Sequence, residues 1–295
     1  MSSPRDAVLD PEAPDARNRD FVQSIERGFA VLLAFDTDLP NPSLAELATR
    51  TGLSRPAVRR ILLTLQQLGY VTNATGRWSL TPRVLTIGHH YAATHSIVDV
   101  AHPHLKRIVE VTGESASLAQ LDGIDVVHVA RVNAPRVLNI DIRIGSRLPA
   151  HATSMGRVLA AFATADVVDR IIDEKGLTAL TAATITDPIE FRDALHQVRQ
   201  NGYALVDGEL EEGFLSAAVP VRDVTGDVVA ALAYSTSRGR QTPQQVQAEA
   251  LPLLIEGAAA IERDLETLTT RPGTPLGGSA PAQLPNPRGV ATVER

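Results

Sequence analysis

The sequence predicts an α+β protein in which a small N-terminal winged helix-turn-helix precedes a larger domain built on an antiparallel sheet. Three observations predict this fold. Two short helices, a glycine turn between them and a β-hairpin follow one another within residues 21–83. Beyond Gly113 the hydrophobic period changes from helical to alternating, with further helices between the strands. The 295 residues, 44% of them hydrophobic, are enough for two modest domains.

The helices of the first domain are marked by their end residues. An apolar helix is predicted over Phe21–Phe35. Ser43 and Glu46 form a capping box for the second helix, which ends where Gly52 can adopt the left-handed conformation. Ser54 is the cap of a third helix, whose apolar residues fall on one face.

The third helix runs to Gly69 and is followed by a predicted wing. Segments 70–72 and 77–80 favour strands, and the turn residues 73–76 lie between them. Together these features predict a winged helix-turn-helix of minimal size.

The second domain is predicted from the change of period. Residues 84–112 form linker helices that end at Gly113. Strands are predicted at Ser115–Asp122, Val126–Val132, Leu138–Ile144, 203–209, 215–222 and 228–236. Helices are predicted at 151–162, 166–175 and 187–201, and from Thr242 to about 268, where Pro252 should kink or split the last helix.

These elements divide the chain into five parts. The polar segments 1–19 and 269–295 are expected to be disordered tails. Between them we expect the winged helix-turn-helix at 20–83, the linker helices at 84–112 and the sheet domain at 113–268.

The charge is unevenly distributed. The net charge is −6, yet residues 41–90 carry six Arg and a single acid, Glu46. Residues 91–295 carry 18 basic and 25 acidic residues. A basic module before an acidic one indicates a polyanion as the partner of the first domain.

Several classes of protein are excluded. The absence of Cys excludes a disulfide scaffold, thiol catalysis and zinc ribbons. No apolar run approaches the ~18–20 residues of a membrane span, and the polar N-terminus does not resemble a secretory signal. We therefore expect a cytoplasmic protein that does not use a membrane or a cofactor.

The third helix carries the candidate DNA contacts. A recognition helix presents its N-terminal residues to bases and phosphates, here Ser54, Arg55, Pro56, Arg59 and Arg60. The planar fork of Arg suits guanine and phosphate. Arg77, with Trp78, is placed on the wing to reach the flanking minor groove or backbone. The alternative is that these arginines only solvate an exposed face, but the coincidence of helix, turn, helix and wing favours double-stranded DNA.

Four segments resemble a known family. They are FVQSIERGFAVLLAF, LAELATRTGLSRPAVRRILLTLQQLGYV, IGSRLPAHATSMGRVLAAF and YALVDGELEEGFLSAAVPVRD. The chain is similar over residues 20–265 to IclR-type bacterial transcriptional regulators, most of all to the PcaR/PcaU/PobR-like subgroup of aromatic-acid (β-ketoadipate) catabolism. The resemblance implies a GAF-like effector-binding domain, a linker helix, and a homodimer or dimer of dimers on DNA.

The segment from Pro149 to Arg157 is a candidate anion site by its own chemistry. A helix begins near its middle, and a helix N-terminus offers unpaired N–H groups and partial positive charge to a carboxylate. Thr153 and Ser154 add hydroxyl donors, although either can instead cap its own helix.

The resemblance extends this site. It implies that a small carboxylate effector contacts Ala152, Thr153, Ser154, Met155, Asp207, Ser216 and Ser235. Relatives often carry Cys at the position of Ser216 and an acidic residue or Ser at the position of Val206, so the identity of the effector is left open.

Other polar groups have a simpler interpretation. The cluster Asp207, Glu209, Glu211 and Glu212 resembles a hydrolytic carboxylate pair, but we interpret it as a solvated acidic turn. The strand arginines Arg131, Arg136, Arg143 and Arg147 can pair with an anion or with surface acids, and are left unassigned. His89-His90 and His102-x-His104 diverge on their helices, so we predict no metal site.

The sequence thus predicts an effector-responsive DNA-binding regulator. The rival hypothesis is an enzyme acting on a small acid with an accessory DNA-binding module. The lack of a nucleophile elbow, phosphate loop or dinucleotide fingerprint counts against it. A constitutive architectural DNA binder is a second rival, and the size of the second domain counts against that one.

Overall fold

The computed structural model describes residues 21–36, 39–94, 96–134, 142–174 and 176–269. The predicted tail 1–19, residues 270–295 of the predicted tail 269–295, and Arg136 lie outside the described residues; Thr269 is the last residue of a helix. The chain divides after Tyr91 into two compact units. Among the described residues, no helix is long and apolar enough to cross a membrane.

The first unit is a helix-turn-helix with a two-stranded wing. Its elements are α1 (Gln23–Leu33), α2 (Leu44–Thr51), α3 (Arg55–Gln67), β1 (Val71–Ala74), β2 (Arg77–Leu80) and most of α4 (Leu85–Thr94). The predicted capping box is confirmed, since Ser43 Oγ accepts from Glu46 N–H and Glu46 accepts from Ser43 N–H. Gly52 adopts the left-handed conformation at a φ of 67°. Ser54 caps α3 by accepting from Ala57 N–H.

The wing is tighter than the sequence predicts. Asn73 and Ala74 belong to β1, and only Thr75 and Gly76 form the turn, both with positive φ. A two-residue turn of this hand matches the right-handed twist of a hairpin. Trp78 does not lie on the outer surface of the wing: its side chain is buried in the core of α1, α2, α3 and β1. The expectation that Trp78 reaches DNA is therefore wrong, because this large ring supplies the apolar contact between hairpin and helices.

The second unit is built on a six-stranded antiparallel sheet, which confirms the predicted fold class. The strand order is β5-β4-β3-β8-β7-β6. The strands are β3 (Ser115–Asp122), β4 (Asp125–Val132), β5 (Arg147–Pro149), β6 (Ala204–Asp207), β7 (Phe214–Arg222) and β8 (Val228–Ser237). The helices are α5 (Ser96–Thr112), α6 (Ser154–Phe162), α7 (Ala165–Asp173), α8 (Pro188–Asn201), α9 (Pro243–Gln245) and α10 (Leu251–Thr269).

The predicted strand Leu138–Ile144 is corrected. Residues 138–141 lie outside the described residues, and residues 142–144 are not in a strand. The strand that pairs with β4 is Arg147–Pro149. It starts later because residues 143–146 form a turn, in which Ser146 N–H donates to Arg143 O and Gly145 has a φ of 87°.

Each face of the sheet has its own helical layer. The first face carries Leu118, Leu215 and Tyr234 and packs against α5 and α10. The second face carries Ala119, Ala218 and Ala233 and packs against α6, with α7 and α8 in the same cluster. Because side chains alternate along a strand, each residue's face follows from its register.

The last helix is continuous through Pro252 but changes its winding. Residues 246–250 form a π-turn between α9 and α10. Pro252 follows directly, and it has no N–H to donate back into the preceding turn. The chain thus accommodates the proline by widening the helix rather than by splitting it.

Candidate functional site

The N-terminal end of α3 presents three exposed arginines. Arg55, Arg59 and Arg60 are exposed, and within the described part of the chain no ion pair engages them. Ser54 and Pro56 fix the start of the helix, as N-cap and as an early-turn proline. Three unpaired cations beside the positive end of a helix form a surface suited to phosphate.

Three other arginines of this unit are engaged within the protein. Arg77 donates to Glu46 Oε2 at 2.9 Å and to Asn41 O at 3.1 Å. The bond from Ser43 N–H lowers the pKa of Glu46, and Arg77 lowers it further. Arg50 pairs with Asp36, and Arg83 lies over the ring of Tyr70 at 5.7 Å. The structure therefore places Arg77 next to the hairpin turn, where it pairs in register with Ala74 and contacts the start of α2.

The second candidate region is the sheet face under α6. Ser216 and Ser235 stand opposite each other in the register of β7 and β8, and Ser115 follows in the same row on β3. The Ser115 hydroxyl accepts from Ala134 N–H at 2.9 Å. Ser216 and Ser235 are 4% and 5% exposed, and no hydrogen bond ends on either hydroxyl within the described residues. Buried hydroxyls are nearly always paired, so these two are available to a bound group.

The start of α6 supplies a third hydroxyl. Ser154, the first residue of α6, is 2% exposed, and its hydroxyl has no hydrogen bond within the described residues. Thr153 differs, because its Oγ1 accepts from Gly156 N–H at 3.1 Å and donates to Pro149 O at 3.3 Å. Thr153 is therefore occupied as the helix cap. Ala152 and Met155 are buried beside it.

Asp207 does not join this group. It pairs in register with Leu215, which lies on the α5–α10 face, whereas Val206 pairs with Ser216. Its carboxylate accepts from Arg238 Nε at 2.7 and 2.9 Å. The structure thus brings Ser154, Ser216 and Ser235 to one side of the sheet and holds Asp207 on the other.

A buried ion pair holds α6 against the turn after β6. Arg157 of α6 pairs with Glu209, and both side chains are nearly inaccessible. Glu209 also accepts from Ile185 N–H at 3.3 Å through its carboxylate, and from the Thr184 hydroxyl at 2.7 Å through its carbonyl. The acidic cluster is therefore not a hydrolytic pair, since Asp207 and Glu209 are each neutralised by an arginine. Among the described residues, no group of His, Asp and Glu can hold a metal ion.

Two residues of β4 complete the polar face, and sequence reasoning did not assign them. Arg131 pairs in register with Ser117 and donates to its hydroxyl at 2.7 Å and to Asn133 Oδ1 at 2.6 Å. His128 pairs with Ala119 and is buried. Both partners lie on the α6 face, so Arg131 and His128 do as well. Arg147 pairs instead with Asp122 and Asp125 at the surface.

His128 is neutral near pH 7. Burial lowers its pKa to about 4, and the charge of Arg131 acts in the same direction. Its Nδ1 lies 3.4 Å from Ser146 O, which only accepts, so Nδ1 carries the proton.

Comparisons with known proteins agree with this architecture. Residues 24–74 match the model of the IclR helix-turn-helix domain, and residues 89–263 match that of the bacterial transcriptional regulator IclR C-terminal domain. The chain is 40% identical over 247 residues to the Pca regulon regulatory protein of Pseudomonas putida, covering 83% of this chain and 84% of that protein.

Solved structures give the same result. A putative transcriptional regulator of Rhodococcus sp. RHA1 is 42% identical, with a TM-score of 0.74, over 84% of this chain and 100% of that one. An IclR homolog of Microbacterium hydrocarbonoxydans, solved in complex with 4-hydroxybenzoate, is 26% identical, with a TM-score of 0.73, over 83% and 99% of the two chains.

Proposed function

This chain belongs to the IclR family of bacterial transcriptional regulators, and we propose that an aromatic carboxylic acid, bound on the α6 face of the sheet, controls its binding to operator DNA. Like the relatives that it matches, it is a transcriptional regulator and not an enzyme. We assign residues 20–83 to DNA, 113–268 to the effector and the linker helices 84–112 to communication between them.

The observation that carries the effector proposal is the polar group on the α6 face. Ser154, Ser216 and Ser235 offer buried hydroxyls, and Arg131 offers a guanidinium whose direction is fixed by Ser117 and Asn133. Fixed donors in a desolvated site bind an anion more strongly than the same donors in water.

The apolar part of the face suits a flat ring. The neighbouring positions on β3, β7 and β8 are small residues: Ala119, Ala218, Ala231 and Ala233. These small side chains are buried beneath α6 and make this part of the face apolar. The regulator of similar fold with bound 4-hydroxybenzoate supports an aromatic acid as the occupant.

We propose that the DNA surface consists of Ser54, Arg55, Pro56, Arg59 and Arg60 at the start of α3. The unpaired arginines would contact phosphates and guanine edges in the major groove. Arg77 then acts beside the hairpin turn, where its pairing with Glu46 holds the hairpin toward α2.

We propose a homodimer, or a dimer of such dimers, as the functional form. On α1, the large apolar residues Phe21, Ile25, Phe29 and Leu33 recur every four residues, and each is more than half exposed. Such a stripe is suited to a second copy, which would also place two recognition helices on successive half-sites. Light scattering of the full-length protein tests this, and a monomer at micromolar concentration would contradict it.

A ligand screen tests the proposed function. Thermal unfolding of the full-length protein is measured with a panel of aromatic and aliphatic acids, and the best ligand is then added to gel shifts with DNA flanking the gene. We expect aromatic carboxylates to raise the midpoint of unfolding and to alter the gel shift. If no acid stabilises the protein, the effector proposal fails; turnover of an acid would support the enzyme instead.

A further inference from the structure

We propose that an acidic segment near the N-terminus of this chain, residues 6–15, docks in a groove between α1 and α3 and reduces DNA binding by pairing with Arg27 and Arg60. This inference rests on the proposed DNA surface, because Arg60 belongs to it. It adds a regulatory contact within the chain, since Arg60 then binds either the acidic segment or a DNA phosphate.

The groove combines apolar surface with positive charge. It lies between α1 and α3 and has a volume of about 530 Å³. Gly28 of α1 and Ile61 and Leu65 of α3 supply apolar lining. Arg27 of α1 and Arg60 of α3 line it as well, and none of the lining residues is acidic. Two helices thus each contribute a cation to one groove.

The charges of both arginines are available to a ligand. Arg27 is half-buried and Arg60 is exposed, and within the described part of the chain no hydrogen bond or ion pair engages either guanidinium. In the same unit, Arg50 and Arg77 have carboxylate partners. An arginine without such a partner can form charge-assisted hydrogen bonds with an added carboxylate. The groove is therefore suited to a segment that carries both acidic and apolar side chains.

Residues 6–15 have this composition. The segment reads DAVLDPEAPD, with four acidic residues and no Lys or Arg, and Val8 and Leu9 lie between two of the acids. The C-terminal residues 270–295 differ, because they carry three Arg and a single acid, Glu294. Of the two ends of the chain, the N-terminal one is therefore complementary to the groove in charge.

The acidic segment is attached close to the groove. Residues 16–22 are all that separate it from Gln23, which begins α1 and lines the groove. Leu9 lies 14 residues before Gln23, and a chain of that length reaches up to ~45 Å when extended. A short tether gives its segment an effective concentration of about millimolar, so that even a weak contact populates the docked state.

A second copy of the chain is a less suitable occupant. A symmetric contact through this groove would bring a second Arg27 and Arg60 to the same place, and like charges oppose such a contact. Of the α1 residues proposed for the dimer, Ile25 alone lines the groove. The docked segment and the proposed dimer therefore use largely different surfaces.

A variant that keeps every charge gives the first test. Fluorescence anisotropy of the full-length protein measures its affinity for a labelled duplex from the DNA flanking the gene. Val8→Ser with Leu9→Ser should bind this DNA about fivefold more tightly than wild type, because the undocked fraction increases. Val290→Ser with Val293→Ser makes the same chemical change near the other end of the chain and should leave the affinity unchanged.

The outcomes separate the docking from the DNA surface. If Val8→Ser with Leu9→Ser matches wild type while Arg59→Ala weakens DNA binding, the docking fails and the DNA surface stands. If Arg59→Ala leaves DNA binding intact, both fail.

Arg27 gives the second test, because it is not part of the proposed DNA surface. Arg27→Gln should raise the DNA affinity about threefold by releasing the segment. In the Val8→Ser, Leu9→Ser background it should add little, since groups in one contact are not additive. Arg192→Gln on α8 is the control and should have no effect. Weaker DNA binding by Arg27→Gln would assign Arg27 to the DNA surface and would overturn the inference.

A disulfide test locates the segment without DNA. The chain contains no Cys, so two introduced thiols report a single contact. Leu9→Cys with Thr64→Cys, in the groove, should form a disulfide within one chain under mild oxidation. Leu9→Cys with Gln66→Cys, exposed on α3 outside the groove, should form much less. Non-reducing mass spectrometry measures both yields. Equal yields, or a disulfide that joins two chains, would overturn the inference.

Discussion

Among the described glycines of the second unit, Gly156 has the least room for an added Cβ. A Cβ at this position would lie 2.1 Å from Ala150 O and 2.3 Å from Ala150 Cα. These are backbone atoms of the turn before α6, so they cannot rotate away as a side chain would.

Gly156→Ala should therefore displace the start of α6 from the sheet. We expect a loss of roughly 2–4 kcal/mol in the free energy of unfolding, from overpacking and shifted backbone, together with weaker effector binding. Denaturant unfolding measures the first effect. Gly28→Ala on α1 is the control, because nothing lies within 4 Å of its added Cβ; it should change stability by less than about 1 kcal/mol. Equal stability of the two variants would contradict the packing derived for Gly156.

Arg59 is the residue that tests the DNA surface. Arg59→Ala should weaken operator binding and reduce the slope of log K against log salt by about 0.9, the value for one lost phosphate contact. Fluorescence anisotropy at several salt concentrations measures both quantities. Arg192→Ala is a matched control on α8, where the arginine is exposed and paired with Asp169. An unchanged slope for Arg59→Ala would remove α3 from the contact.

His128 should make stability depend on pH. Its pKa is lowered from 6.5 to about 4. As pH falls below 6.5, His128 is protonated in the unfolded chain, but in the folded chain it stays neutral until about pH 4. The stability that neutral His128 contributes is therefore present above pH 6.5 and is lost between pH 6.5 and 4. Between pH 7 and 4.5 the wild type should lose roughly 2 kcal/mol more than His128→Gln. Parallel pH profiles in denaturant unfolding would show that His128 is not held neutral.

At the level of elements, α6 is tied to the turn after β6 by the buried pair of Arg157 and Glu209. Glu209→Ala leaves the Arg157 charge without its carboxylate and should cost about 3–5 kcal/mol. Arg157→Met combined with Glu209→Ala removes both charges and should recover much of that loss. The exposed pair of Arg192 and Asp169 should contribute under about 1 kcal/mol. Chemical denaturation measures the free energy of unfolding of each variant. A double variant no more stable than Glu209→Ala would argue against a charge effect.

Elements with local signals were predictable from the sequence, and those set by pairing were not. The capping box at Ser43 and the glycine at Gly52 fix α2 within a few residues, and both are confirmed. The strand after β4 was misplaced because apolar alternation at 138–144 carries no information about partners, whereas Arg147–Pro149 is defined by hydrogen bonds to β4.

The candidate site follows the same division. Ser154, Ser216 and Ser235 were identified from the sequence; Ser216 and Ser235 share one face of the sheet, and Ser154 begins the helix that packs on that face. His128 and Arg131 were not, because their three-residue spacing indicates opposite faces until the β-bulge in the pairing of β3 with β4 is known. Asp207 follows Val206, which pairs with Ser216 on the α6 face. Because successive side chains of a strand point to opposite faces, Asp207 lies on the other face of the sheet.

At the level of the whole molecule, the two units differ in the charge and the burial of their polar residues. The first unit exposes cations on α3, while the second encloses its polar groups beneath α6. An effector can alter DNA occupancy only if its affinity differs between two states of the protein, and the same coupling must then act in both directions. Bound DNA should accordingly change the affinity for the effector by the same factor.

The most direct test of this regulation is a DNA-binding titration of the full-length protein with and without an aromatic acid. Fluorescence anisotropy follows a labelled duplex from the DNA flanking the gene, at fixed salt, with saturating 4-hydroxybenzoate or an equal concentration of acetate. We expect 4-hydroxybenzoate to shift the dissociation constant for DNA by about 5-fold or more, in the range of ordinary allosteric coupling, and acetate to leave it unchanged. If 4-hydroxybenzoate binds to the protein and the two DNA titrations coincide, the claim that an aromatic carboxylate controls operator binding is contradicted.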